Sequence, residues 1–86
     1  MSEITGTIMQ INPTEVKTEK FKARTLVLQT TEKYPQSLLI QFSQDKCGLL
    51  DKFSEGQTVK IAYNLRGREY NGRYYTTIEG WKIENS

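Results

Sequence analysis

The sequence predicts an all-β domain in which five strands close into a barrel, with one short helix between the third and the fourth. Three observations predict it. Five separate stretches read as strands, two of them alternating at period two, only residues 44–53 shift to helical spacing, and Asn71-Gly72 supplies a two-residue hairpin turn. The chain of 86 residues is read as one domain, residues 1–86, too short for two. A chain of this size buries about 60–65% of its unfolded surface. Its 36% apolar content must therefore form one continuous core, which a closed barrel provides.

Residues 4–11 make the first predicted strand, rich in β-branched side chains, and Asn12-Pro13-Thr14 stops it. A polar connection follows. Lys20-Phe21-Lys22-Ala23-Arg24 then alternates charge with Phe or Ala and continues to Thr30, a long second strand that projects beyond the barrel at its beginning. Glu32-Lys33-Tyr34-Pro35 turns the chain, because proline fixes φ and biases Tyr34 toward extended geometry. Residues 36–43 are the third strand. Across residues 44–53, Cys47, Leu50 and the neighbouring Leu49 and Phe53 recur at steps of three and four, giving a helix that Ser43 or Asp45 would cap. Gly48 weakens its interior by about 1 kcal/mol relative to alanine, so this helix depends on packing.

Residues 58–66 alternate cleanly, with Val59, Ile61, Tyr63 and Leu65 on one side of the fourth strand. Asn71 and Gly72 both tolerate positive φ and join it antiparallel to the fifth, residues 74–83, where Gly80 marks a bulge before Trp81. Tyr63 and Tyr74, on the parities of Ile61 and Ile78, are expected to point inward. Trp81 and Phe53 are expected to plug the barrel's ends.

The missing residue types narrow the chemistry. With no histidine and one cysteine, Cys47, the chain cannot assemble a clustered Cys/His zinc site, a His-based nucleophilic triad or a disulfide framework. Neither enzymatic activity nor a cofactor is expected, and Cys47 reads as a small buried hydrophobe. No stretch approaches the roughly 18 apolar residues of a membrane span. Met1-Ser2-Glu3 opens without an apolar signal core. A soluble cytoplasmic protein with no membrane partner is the expectation.

Net charge is only +2, but its distribution is uneven. From Lys17 to Arg24 four basic residues face one acid, from Lys60 to Arg73 four more face one, and the remainder of the chain is net −4. Folding that gathers the two basic segments would give a positive face and a negative back, as a polyanion binder has. Topology decides. The order β-β-β-α-β-β is the connectivity of the OB-fold, a five-stranded Greek-key barrel whose ligand face is built by strands two and three, flanked by the loops between strands one and two and between four and five. Both basic segments fall on those elements.

The residues themselves resemble a known family. Gly6 with Ile8, the run Leu26-Val27-Leu28-Gln29-Thr30-Thr31-Glu32, Gly56-Gln57-Thr58-Val59-Lys60-Ile61 and Arg73-Tyr74-Tyr75-Thr76-Thr77 look like bacterial single-stranded DNA-binding proteins across essentially the whole chain. The segment Arg68-Glu69-Tyr70-Asn71-Gly72-Arg73-Tyr74-Tyr75-Thr76 also resembles a short bacterial group with the same barrel and no characterised activity. The resemblance implies single-stranded DNA binding in replication, recombination or repair, in a bacterium or phage. Two departures matter. The family's long acidic C-terminal tail has no counterpart after Asn85-Ser86, so recruitment of partners by a tail is not expected. Its base-stacking tryptophans on strands two and three are also absent, since the lone Trp81 lies in strand five, and tyrosine or phenylalanine must serve.

A single-strand binder needs cations at phosphate spacing with flat rings between them. The candidates are Lys17, Lys20, Phe21, Lys22 and Arg24 on the first flank, Tyr34 at the edge of strand three, and Arg66, Arg68, Tyr70, Arg73 and Tyr75 on the second. DNA is the expected ligand, and the same chemistry admits RNA. The plainer reading is that alternating charge merely blocks edge-to-edge pairing of an exposed strand, and that Arg68 and Glu69 pair locally. Met9 and Ile11, opposite in parity to Ile8, would give strand one an apolar edge and favour a homo-oligomer, a dimer or tetramer, unless a bulge turns Ile11 inward. The competing function is a protein interaction or assembly module using the same face, because this fold hosts many functions.

Overall fold

The computed structural model describes residues 2–86. Six strands and one helix follow in the order β1 (Ser2–Ile11), β2 (Glu15–Thr18), β3 (Phe21–Thr30), β4 (Ser37–Ser43), a 3-10 helix (Gln44–Lys52), β5 (Thr58–Tyr70) and β6 (Arg73–Asn85). Five of them close into a ring, β1-β5-β6-β4-β3, completed by pairing of β3 with β1, and β2 hangs on the outer edge of β3. This is the OB-fold barrel the sequence predicts.

Closure depends on β1 serving two partners. It pairs with β5 from Ser2 to Thr7 and with β3 from Gly6 to Ile11, so Gly6 belongs to both ladders. A Cβ there would lie 2.4 Å from the Gln29 carbonyl oxygen, so only glycine lets the strands approach this closely. A register shift between Ile8 and Gln10 then makes Met9 the extra residue. The bulge leaves Met9 exposed and packs Ile11 against the core, removing half of the apolar edge expected on this strand.

Inside the ring, Ile8, Leu26, Leu28, Ile40, Phe42, Leu50, Val59 and Ile61 are wholly buried. The Phe42 ring fits because Gly80 opposes it: a Cβ on Gly80 would fall 2.5 Å from Phe42 Cζ. The ladder of β5 and β6 shifts register at this point, between Ala62 and Tyr63, with Trp81 as the extra residue, so the predicted Gly80 bulge forms. Phe53 is half-buried against the core. The helix is 3-10 and buries Cys47 and Leu50, three residues apart, which matches a three-residue period that stacks i and i+3 on one side. Ser43 makes no side-chain cap; its hydroxyl accepts instead from Gln41. Cys47 donates its thiol to the Phe42 carbonyl at 3.4 Å.

Three expectations are corrected. Residues 15–18, read as a polar connection, form β2, which needs only backbone pairing and so carries no apolar period. Residues 67–73, read as a loop, are continuous ladder out to the Tyr70–Arg73 pair, because the positive φ of Asn71 (52°) and Gly72 (77°) matches the twist of the flanking strands. Leu65 and Tyr74, expected inward, are 67% and 80% exposed. Strand parity assigns a face, but beyond the ring that face has no core beneath it. Tyr63 lies between these cases, half-buried opposite Gly80.

Candidate nucleic-acid interface

The projecting β5–β6 hairpin sorts its side chains by register. Residues directly opposite in an antiparallel ladder share a face. The pairs Arg66–Thr77, Arg68–Tyr75 and Tyr70–Arg73 therefore lie on one side, and Leu65–Ile78, Gly67–Thr76 and Glu69–Tyr74 on the other. Every hairpin residue expected to bind nucleic acid stands on the first side. There the Arg68 guanidinium carbon sits 5.6 Å from the centre of the Tyr75 ring, a cation–π arrangement.

The same side runs without a break onto β3 and β4. Glu79 is paired with Gln41, Gln41 with Thr25, and Ser43 with Ala23, so these residues continue the hairpin's basic face. A shallow open groove results, lined by Phe21, Gln41, Ser43, Arg66, Thr77 and Glu79. A second depression adjoins it, where Arg66, Glu79 and Ser43 meet Asn64, Lys46 and Trp81. Trp81, expected as a plug, is thus half-buried beside the groove. Folding brings Phe21 and Arg66, distant in sequence, to one groove.

Electrostatics divide the cations. Among the described residues the ion pairs are Lys17–Glu15 at 2.6 Å, Arg24–Asp51 at 2.7 Å and Lys60–Glu84 at 3.4 Å. Arg66, Arg68 and Arg73 enter none of them, so their charge is uncommitted. Lys17, beside Ala23, Thr25 and Gln41 at the opposite rim, is paired with Glu15. Its hydrogen bond, then its charge, hold the Glu15 carboxyl below the usual carboxylate range.

Other expected residues stand elsewhere. Arg24 shares parity with Leu26 and Leu28, opposite Phe42, and its side chain is only 17% exposed. Nε donates to the Asn12 carbonyl at 2.8 Å, and Nη1 to the Cys47 carbonyl at 3.3 Å and to Asp51 Oδ1 at 2.7 Å. Arg24 is a strut, tying β3 to the connection after β1 and to the helix. Lys22, paired with Val16, has the same parity and so leaves β3 on the side opposite Phe21, although both residues line, with Lys20 and Gln44, an open depression at the β2–β3 turn. Lys20 occupies the β2–β3 turn, where Gln44 brackets it: Gln44 Nε2 donates to the Lys20 carbonyl at 2.7 Å and its Oε1 accepts from the Lys22 amide at 3.4 Å. Tyr34 follows the far end of β3, about 30 Å along the strand from Phe21, with Lys33 Nζ 5.7 Å from its ring centre. The groove floor of Gln41, Ser43, Thr77 and Glu79 was not singled out from sequence, although Thr77 and Glu79 share the parity of Tyr75. No group of three or more His, Cys, Asp or Glu among the described residues is placed to hold a metal ion, and no described helix is long and apolar enough to cross a membrane.

Known structures share this fold. The second single-stranded DNA-binding protein (SSBb) of Mycobacterium smegmatis superposes with a TM-score of 0.73 at 9% identity, covering 99% of this chain and 84% of that one. The N-terminal domain of the PriB protein of Thermoanaerobacter tencongensis, described as dimeric, superposes with a TM-score of 0.72 at 19% identity, covering 99% of this chain and 93% of that one. At these identities the likeness is one of fold. No curated protein matches the sequence. A family model does: residues 3–84 match the domain of unknown function DUF3127, and the chain belongs to that family.

Proposed function

We propose that this protein binds single-stranded DNA without sequence motif, in the cytoplasm of a bacterium or phage-infected cell, as an accessory to replication, recombination or repair. Residues 1–86 act as one OB-fold domain in this reading, with no catalytic role. The observation that carries it is the shared side of Phe21, Arg66, Arg68, Tyr70, Arg73 and Tyr75, where uncommitted guanidinium groups alternate with rings. Phosphates would meet the arginines while bases stack on Phe21, Tyr70 and Tyr75, each stacked base contributing about 1–3 kcal/mol. Fold likeness to a protein named for single-stranded DNA binding supports the same reading. Exposed Met9 and the dimeric neighbour support a homo-oligomer, which light scattering on the purified protein would measure.

A fluorescence titration with oligo-dT of about thirty nucleotides, at low and high salt, tests the function. Tight binding that weakens steeply with salt is expected, because each neutralised phosphate releases counterions. A protein-interaction module is the second reading, favoured by Leu65 and Tyr74, which expose apolar surface on the hairpin's other side. Absence of oligo-dT binding at low salt selects it.

A further inference from the structure

We infer, resting on the single-strand reading above, that the groove prefers bases with an exocyclic amino group, taking cytosine over thymine, because its floor offers hydrogen-bond acceptors. The unusual feature is Glu79. A carboxylate in a groove for a polyanion repels phosphate, yet Glu79 lines both depressions that meet at Arg66, and it has no ion pair among the described residues.

Its surroundings fix what it can do. A carboxylate only accepts hydrogen bonds, so Gln41 must turn its amino group toward it. Gln41 Nε2 lies 3.3 Å from Glu79 Oε2 and 3.3 Å from Ser43 Oγ. Both donors of the amide are thereby occupied. Glu79 Oε1 and Gln41 Oε1 have no side-chain hydrogen bond among the described residues and are left to accept. The floor between Phe21 and Arg66 therefore offers two fixed acceptors beside the Ser43 and Thr77 hydroxyls, which rotate to donate or accept.

A base stacked on Phe21 brings its edge against this floor. Cytosine presents its N4 amino group there, a donor that a glutamate accepts, and adenine presents N6 in the same way. Thymine carries the O4 carbonyl where cytosine carries the amino group, and its one edge donor, N3–H, lies between O4 and O2, two acceptors that repel the carboxylate, so its bond to Glu79 is the weaker. Phosphates and sugars are identical in the two strands. The counterion contribution cancels in the comparison, and the difference reads the base edge alone.

The experiment compares oligo-dC with oligo-dT of equal length, in one buffer, for the wild-type chain and Glu79→Gln. Wild type is expected to bind dC about fivefold tighter than dT, the worth of one hydrogen bond. Glu79→Gln, isosteric and able both to donate and to accept, should bring the two within about twofold, chiefly by tightening dT. Equal wild-type affinities overturn the inference, and so does a dC preference that survives Glu79→Gln. If neither strand binds the wild type at low salt, the single-strand reading fails first and the preference falls with it.

Discussion

The Arg24 guanidinium donates to the carbonyl of Asn12 and, in the helix, to the Cys47 carbonyl and the Asp51 carboxylate, two segments far apart in the chain, whereas Arg66 donates to nothing among the described side chains. The two arginines should therefore separate under substitution. Arg24→Met strands two backbone carbonyls and is expected to lower unfolding free energy by about 1–3 kcal/mol; Asp51 is largely exposed, so the ion pair itself contributes little of this. Arg66→Ala should leave stability within about 0.5 kcal/mol while weakening oligonucleotide binding and lowering the salt slope by about 0.7. Chemical denaturation and a salt titration of both variants check this. In the sequence the two look alike, each an arginine in an alternating strand. The sequence reading gathers Phe21, Lys22 and Arg24 on one flank, whereas the period of two puts Phe21 across the strand from the other two, and which side faces the groove depends on how the ring closes. Glu79 was hidden for a related reason: an acid in a basic groove breaks the pattern by which the other residues were found.

The β5–β6 hairpin was legible because its turn is chemically explicit. Asn71 and Gly72 take the positive φ that a two-residue turn requires, and Gly80 marks the bulge at its base. Its length was not legible. Apolar alternation ends at Leu65, past which no core remains to select it, yet backbone pairing continues to Tyr70. The β2 strand escaped for the same reason, as all four of its residues are exposed. Gly72→Val places a β-branched side chain at φ 77° and should fray the outer ladder without opening the ring. Amide exchange is the measurement: residues 66–77 are expected to exchange faster, with the protection of Leu26, Leu28 and Ile61 unchanged. Faster exchange throughout would mean that hairpin and barrel unfold as one unit.

At the scale of the molecule, the radius of gyration is 13.1 Å, above the about 12 Å of a compact domain of this length. The excess reflects the hairpin, whose outer ladder, Arg66 to Tyr70, extends about 17 Å past the ring. It also explains how a net charge of +2 can coexist with a concentrated cationic side: Arg66, Arg68 and Arg73 stand on the extension, and Asp45, Asp51 and Glu55 lie in and after the helix. The double variant Arg68→Ala/Arg73→Ala should therefore weaken oligo-dT binding and cut the salt slope by about 1.4, whereas Lys52→Ala on the helix changes neither. Equal effects from both would show that attraction is diffuse, with no preferred side. The Gln44 bracket adds a difference between the groove's two margins. Its amide ties the Lys20–Lys22 backbone to the start of the helix, while no side-chain hydrogen bond among the described residues reaches Asn71. In the proposed function a strand would therefore touch one margin anchored to the barrel beside Phe21 and one borne on a free-standing two-stranded arm, two contacts that separate variants can remove independently.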